Sequence, residues 1–421
     1  MAVADAPLGT HPAFHDVEFY LGDPHAAYRW LRAHDPVHRF EPPRAAAGRA
    51  GSAIWMLTRW ADIRLASKRS GRFTTSRGVL LNDRLANAGM KRASYLPKTE
   101  SIIHMDPPKH GRVRNLVSSV FTPRRVAALE PWMRALCREH FDALPTDAPV
   151  DLVAEIAAPL PAITMARILG VPPEQWRHFQ DCANAMIEVA AGDPADTGAM
   201  ARHGAKLGEL AESLRERIAD RRATPRDDLL SDLVHARVPG LAFDDADVLL
   251  MAITLLGAGN ETTRTLVARS ALALAEHPDE RAKLTADPAL LPGAIEELLR
   301  FTTPVHSHAR TALADVELRG RRIREGDYLV LLYASGNRDE EVWADGDVLD
   351  VARPVERNPH LSFGHGEHFC IGAHLARLEA RVVLGELLAR FPRYALAGEP
   401  RFQRSTHING IEEMPVVLGG R

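Results

Sequence analysis

The chain has 421 residues, 46% hydrophobic and 25% charged, which is an ordinary globular composition long enough to bury a large core. Its formal net charge of −3 excludes a global basic field for nucleic acid or an anionic membrane, so a charge-driven partner would need a local patch. Three cysteines, Cys137, Cys182 and Cys370, are odd in number and far apart, which excludes a disulfide framework and suits a reducing cytoplasm.

The chain opens with MAVADAPLGTHPAFHD, without a cationic start followed by an apolar run, so neither signal peptide nor membrane anchor is expected. No internal repeat or Gly/Ser linker divides it, and it reads as one domain over 1–421, with a mixed part at about 15–104 and a helix-rich core at about 105–421. DPHAAYRWLRAHDPVHRFE predicts a short helix, and SAIWMLTRWADIRLASK a strand turning into a helix. Residues 75–104 show no sustained period and read as a long irregular loop, of the kind that serves as a lid or binding loop. From 107 to about 301 the pattern is mostly helical, punctuated by Pro123, Pro159 and Pro172, and Pro161 argues against one unbroken helix there.

Asp244 or Asp245 is placed to cap a helix running to about His277 and stopped by Pro278. About 33 residues at ~1.5 Å each span roughly 50 Å. Val248 to Leu256 is apolar on every face, as in a helix through the middle of a molecule. A second helix is expected at about 291–301, ending before Pro304, and DVELRGRRIREGDYLVLLYAS alternates like short strands. Beyond Cys370, apolar residues recur at helical spacing to about Phe391. The fold class is mainly α with a minor β region.

The stretch FGHGEHFCIGAHLAR carries the chemistry. With Cys370 in the first turn of the following helix, free N–H groups and the dipole would favour a negative sulfur and lower its pKa. Gly364, Gly366 and Gly372 would let the backbone turn sharply and press against something flat and bulky, while Phe363 shields the sulfur. A thiolate held this way is a nucleophile or a metal ligand. Cys137 and Cys182, with no glycines crowding them, read as small buried hydrophobes.

Phe363, Gly364, Gly366, His368, Cys370 and Gly372 resemble the haem-binding loop of the cytochromes P-450, Phe-Gly-x-Gly-x-His/Arg-x-Cys-x-Gly. The resemblance implies the cytochrome P-450 fold, with a long central helix over heme b and Cys370 as the axial thiolate on iron, whose electron donation favours O–O cleavage. AGNETT, Ala258 to Thr263, resembles the family's distal-side segment. There Thr262 would hydrogen-bond dioxygen and Glu261 relay protons from solvent. In the same light EELLR gives a structural pair, Glu297 and Arg300, completed by Arg353, although Leu349 replaces the aromatic residue usual in that region. His110, Arg114, Arg310 and His368 fall where the family binds the haem carboxylates.

The expected activity is that of a monooxygenase inserting one atom of O2 into a hydrophobic small molecule such as a steroid, terpenoid, lipid or macrolide-like metabolite. No flavin or nicotinamide signature is visible, and the resemblance implies that electrons from NAD(P)H would arrive through a separate ferredoxin and ferredoxin reductase, docking near the Cys370 loop with help from Lys109 and Arg112. The alternatives are a haem-thiolate peroxygenase, which would lack the Glu261–Thr262 pair, and a non-catalytic haem sensor, which would not need it. The pocket is expected between the 75–104 loop, the 185–200 segment, the helix around Ala258, Val305 to Ala309 and the turn near Ile408. His306 and His308 are read as satisfied by the core, with a substrate oxygen as the other possible partner.

Overall fold

Two apolar runs, IWML and YLVLL, organise the β part of the molecule. In the computed structural model, which describes residues 12–42, 52–85, 99–172, 175–191, 197–237 and 240–419, they lie side by side. Helix α1 (His25–His34) leads into β1 (Val37–Phe40) and β2 (Ile54–Leu57), followed by α2 (Trp60–Lys68) and the short β3 (Phe73–Thr74). Two strands from much later in the chain, β4 (Ser307–Ala312) and β5 (Tyr328–Leu332), complete a five-stranded sheet in the order β1-β2-β5-β4-β3. β2 and β5 pair in parallel, with Ile54 opposite Tyr328 and Leu57 opposite Leu331, and the other neighbours are antiparallel.

Side chains alternate across a strand, so an all-apolar run requires cover on both faces. Trp55, Leu57, Leu329 and Leu331 pack into one apolar cluster, and Ile54, Met56, Val330 and Leu332 into another. The mixed N-terminal part expected at 15–104 therefore includes residues 307–332.

The largest core lies among the helices. Beyond β3 in the chain, those of ten residues or more are α3 (Lys109–Ser118), α4 (Glu130–Asp142), α5 (Pro159–Ile168), α6 (Trp176–Ala191), α7 (Thr197–Ala223), α8 (Asp245–Glu276), α9 (Leu291–Thr302) and α10 (Ala373–Arg390). Pro161 does not break α5. That helix starts at Pro159, after a π-helical turn at Val153–Ala157, so Pro161 falls in the first turn, where its missing N–H costs nothing.

Helix α8 crosses the core for 32 residues, a length of roughly 48 Å at ~1.5 Å per residue. Asp244 caps it: its side chain accepts from the N–H groups of Ala246 and Asp247, and Asp247 reaches back to the Asp244 N–H. At Gly259 α5 crosses so closely that a Cβ would stand 2.7 Å from Met165 Sδ. Part of the expected 75–104 loop is ordered as a short helix at Leu81–Leu85 and a 3-10 turn at Ile102–His104; residues 86–98 lie outside the described residues. Among the described residues no helix is long and apolar enough to cross a membrane.

Candidate active site

The cysteine loop is tied at its neck by the Cys370 N–H donating to the Phe363 carbonyl at 2.9 Å. Gly364 (φ 70°) and Gly366 (φ 76°) both adopt the left-handed conformation that side chains resist. A Cβ on Gly366 would stand 2.5 Å from the Ser67 carbonyl at the end of α2. This glycine thus serves close packing within the protein, not the clearance for a ligand that the sequence suggested. Helix α10 begins at Ala373 with Gly372 as its N-cap, so Cys370 precedes the helix instead of occupying its first turn.

The Cys370 side chain is exposed, whereas Cys137 and Cys182 are buried. Nevertheless burial pushes the Cys370 thiol up, and the Gly372 N–H, Arg114 and Arg377 offset this only in part. Surface that is accessible yet poorly solvated belongs to the wall of an internal space. The lowering expected from a helix N-terminus is not found, because the sulfur is too deep for one N–H and two guanidinium groups to outweigh its desolvation. A thiolate at this position needs a positive charge at the sulfur itself, which a metal ion supplies. Among the described residues no three of His, Cys, Asp or Glu gather as a metal cage, so Cys370 would be a single protein ligand.

Beside this loop stand four cationic or ionisable groups. The His110 and His368 rings lie 4.1 Å apart, and Arg114 Nη2 donates to the Phe369 carbonyl at 2.7 Å. Arg310, 5% exposed, donates to the carbonyl of the adjacent Ala309 at 2.7 Å. Among the described residues neither guanidinium has a carboxylate partner. Burial lowers His368 to about 3, assisted by His110 and Arg310, and burial followed by Arg114 lowers His110. The nearby Asp106 is already engaged by Thr74 and Thr75. A buried arginine left without an acid is costly unless an anion arrives, and the carboxylates of haem are such an anion. The donor set fits that group.

Most of α8 between Val248 and Leu274 is buried, but Ala258 is exposed and Gly257, Gly259 and Thr262 are partly so. Thr262 Oγ1 donates to the Ala258 carbonyl at 2.7 Å, the back-bond of a mid-helix threonine. Glu261, 2% exposed, takes a 2.5 Å contact from Arg264 Nη2, and Arg264 Nη1 also reaches Asn184 Oδ1 on α6 at 3.3 Å. Sequence reading missed Arg264, although its spacing of three from Glu261 on a helix was the available signal. Also missed was Glu379 on α10, a buried acid facing the hydroxyls of Thr164 and Thr263, though its Oε1 has no well-aligned partner. Burial pushes its carboxyl up to about 8.

Glu297 and Arg300, both fully buried, pair through two contacts of 2.6 and 2.8 Å. Arg353 Nε adds a third arm to Glu297 at 3.0 Å, and Arg300 also donates to the carbonyls of Asn337, Gly346 and Val348. Arg353 makes this contact with Leu349 buried nearby in the sequence, so an aromatic residue there is not required. Lys109 and Arg112, suggested above for partner docking, are engaged within the chain by Glu100 and the Gly240 carbonyl. Of the pocket walls expected from sequence, Val305 bridges Ile408, while 86–98 and 192–196 lie outside the described residues.

The sequence profile of the Cytochrome P450 family matches residues 197–400. A vitamin D(3) 25-hydroxylase from Pseudonocardia autotrophica is 37% identical over 406 residues, spanning 95% of this chain and 94% of that protein. The chain belongs to the cytochrome P450 family. A methyl-branched lipid omega-hydroxylase from Mycobacterium tuberculosis is 34% identical over 425 residues, covering 98% of this chain and 95% of the relative. Among solved structures, the Mycobacterium marinum cytochrome P450 CYP268A2 in complex with pseudoionone superimposes with a TM-score of 0.86 at 34% identity, covering 95% of this P450 and 97% of that chain. This P450 is a monooxygenase, of a family that holds haem through a cysteine thiolate.

Proposed function

We propose that this P450 holds heme b through Cys370 and hydroxylates an apolar small molecule, with electrons from NAD(P)H delivered by a separate ferredoxin and its reductase. The observation that carries the reading is the convergence of Arg114, Arg310, His110 and His368 beside an accessible Cys370, with no carboxylate among the described residues paired to either guanidinium. Bound there, haem would supply the activation of dioxygen that lets one oxygen atom enter a C–H bond while the other leaves as water.

The chain's own residues would do the rest. Arg114, Arg310, His110 and His368 bind and orient the cofactor by its carboxylates. The Thr262 hydroxyl, released from the Ala258 carbonyl, holds a proton towards the internal space. Glu261 hands protons to that turn of the helix, with its carboxyl positioned by Arg264. Glu297, Arg300 and Arg353 keep the loops around the cysteine segment in place without touching the reacting atoms. The named relatives act on vitamin D(3) and on methyl-branched lipid, and the solved structure holds pseudoionone, all of which favours an apolar substrate.

The Glu261–Thr262 pair favours dioxygen with stepwise electrons over peroxide as the oxidant. The test is the spectrum of the reduced protein with carbon monoxide, for the native chain and for Cys370→Ala. A strongly red-shifted Soret band in the native protein, lost in the variant, supports the assignment; an unshifted band in the native protein refutes it. Turnover with a ferredoxin system but not with hydrogen peroxide alone checks the electron route.

A further inference from the structure

An ion pair outside the haem-binding and proton-handling groups lies against the cysteine loop. Arg377, early in α10, grips Glu296 of α9 with two arms, Nε to Oε1 at 2.7 Å and Nη2 to Oε2 at 2.8 Å. Such a fork fixes the plane of the guanidinium as well as its place. His360 steadies the acid from another side. The Ser362 N–H donates to His360 Nδ1 at 3.2 Å, so Nδ1 carries no proton and Nε2 donates to Glu296 Oε2 at 3.1 Å. The Ser362 hydroxyl donates to the Leu299 carbonyl at 2.6 Å, which ties the segment entering the loop to the helix that carries Glu296. Burial alone would raise the Glu296 carboxyl, but the Arg377 and His360 contacts hold it down to about 2, so it is ionised at neutral pH.

The same guanidinium lies at the end of α10 that carries the sulfur. It stacks over the Phe363 ring, 4.5 Å from its centre, and the Phe363 carbonyl is the one that accepts the Cys370 N–H. Arg377 Nη1 also folds back to the Ala373 carbonyl at 3.5 Å, at the first residue of the helix. The sulfur stands 4.0 Å from where a Cβ on Gly372, the N-cap, would be. In keeping with this placement, Arg377 is among the groups that offset the desolvation of the Cys370 thiol. Of the two guanidinium groups that do so, Arg114 and Arg377, only Arg377 has a carboxylate partner among the described residues.

The Arg377 side chain is 30% exposed and that of Glu296 13%, so water screens the pair only in part. Charges fixed beside a metal's ligand act on any electron added at the metal: a cation favours it and an anion opposes it. Arg377 touches the loop itself, whereas Glu296 stands behind it, so the cation has the larger effect.

Resting on the haem-thiolate reading above, we propose that Arg377 and Glu296 are positioning residues for electron entry, an opposed pair of charges that sets the reduction potential of the iron held by Cys370, Arg377 raising it and Glu296 lowering it. The test is the potential of the haem-loaded full chain, followed by the Soret band during stepwise reduction, with the carbon monoxide spectrum recorded for each variant. Arg377→Met is expected to lower the equilibrium constant for reduction about threefold, or ~30 mV for one electron, and Glu296→Gln to raise it by a similar factor. The double variant, which leaves neither charge buried alone, should fall between the two. Arg377→Lys, which keeps the charge, should lie closer to the native protein than Arg377→Met.

Shifts of the same sign in the two single variants overturn the proposal, since a loosened loop would move the potential one way whichever partner is removed. If Arg377→Met does not retain haem, Glu296→Gln decides alone, and a fall or no change there refutes the opposed pair. An unshifted carbon monoxide band in the native protein would mean that no thiolate holds the iron, and the haem-thiolate reading would fail together with this one. A red-shifted native band, with potentials that ignore both substitutions, removes only the pair.

Discussion

Arg264 and Glu261 stand one helical turn apart on α8 and meet at 2.5 Å, and the same arginine reaches across to Asn184 on α6. The acid of the distal pair is therefore not a free carboxyl. Its orientation depends on a cation that also touches a neighbouring helix.

Replacing Arg264 by Met should leave Glu261 buried without its cation, at a cost of about 3–5 kcal/mol in unfolding free energy. The double variant with Glu261→Gln should recover part of that loss, giving a coupling of about 1–3 kcal/mol in a double-mutant cycle followed by urea unfolding. Additive losses would show that the pair contributes nothing as a pair. In turnover, the single Arg264→Met variant is expected to form less product per NAD(P)H consumed.

Arg310 has no acid to neutralise it among the described residues, so its removal should be felt chiefly by the cofactor. Arg310→Ala is expected to lower haem affinity by about tenfold or more while leaving the unfolding of the haem-free chain within about 1 kcal/mol. Transfer of haem to an apo-globin acceptor measures the first, and urea unfolding the second. A haem loss rate equal to that of the native protein would remove Arg310 from the site.

Glu379 gives a pH dependence with a definite sign. Its carboxyl is raised from 4.5 to about 8 by burial, so across that window the unfolded chain ionises the group while the folded chain keeps the proton. Stability should fall as pH rises from the lower value to the higher, by about 1.4 kcal/mol per unit, and level off above it. Glu379→Gln lacks the group and should lack the slope. The difference in unfolding free energy between the two proteins, taken from about pH 5 to about pH 8, reads this directly. A flat difference would mean that Glu379 is ionised in the fold.

Glu297 accepts from Arg300, Arg353, Asn358 and the Asp350 N–H, so its loss leaves the buried Arg300 without an acid and Arg353 with Asp345 alone. Glu297→Ala should therefore cost more than the ~3–5 kcal/mol of one broken buried pair, and should abolish recovery of folded protein. Arg353→Ala should cost less, since Arg353 shares its charge with the half-exposed Asp345. Comparable losses in the two variants would contradict this ranking.

The long helix was legible in sequence because its signals are local: a cap at Asp244, a stop at Pro278 and an apolar run between them. The cysteine loop was legible because its glycines sit at fixed offsets from Cys370. The reason for Gly366 was not, because Ser67, which it packs against, is remote in the chain. Distance in sequence also hid His407, which meets His308 only through the C-terminal turn, and the partners of Glu379 on α5 and α8. Periodicity shows which face of an element is buried, but not which element covers it.

The parallel pairing of β2 with β5 has a consequence for how the chain is made. Residues 54–57 leave the ribosome early, but their partner strand, 328–331, emerges only after helices α3 to α9 have been synthesised. Until then the β1–β2 hairpin presents an unpaired hydrophobic edge, the kind of surface that attracts chaperones and seeds aggregation. Closing so long a loop is slow, so yield in a foreign host should be limited by this late zippering more than by the strength of the finished core.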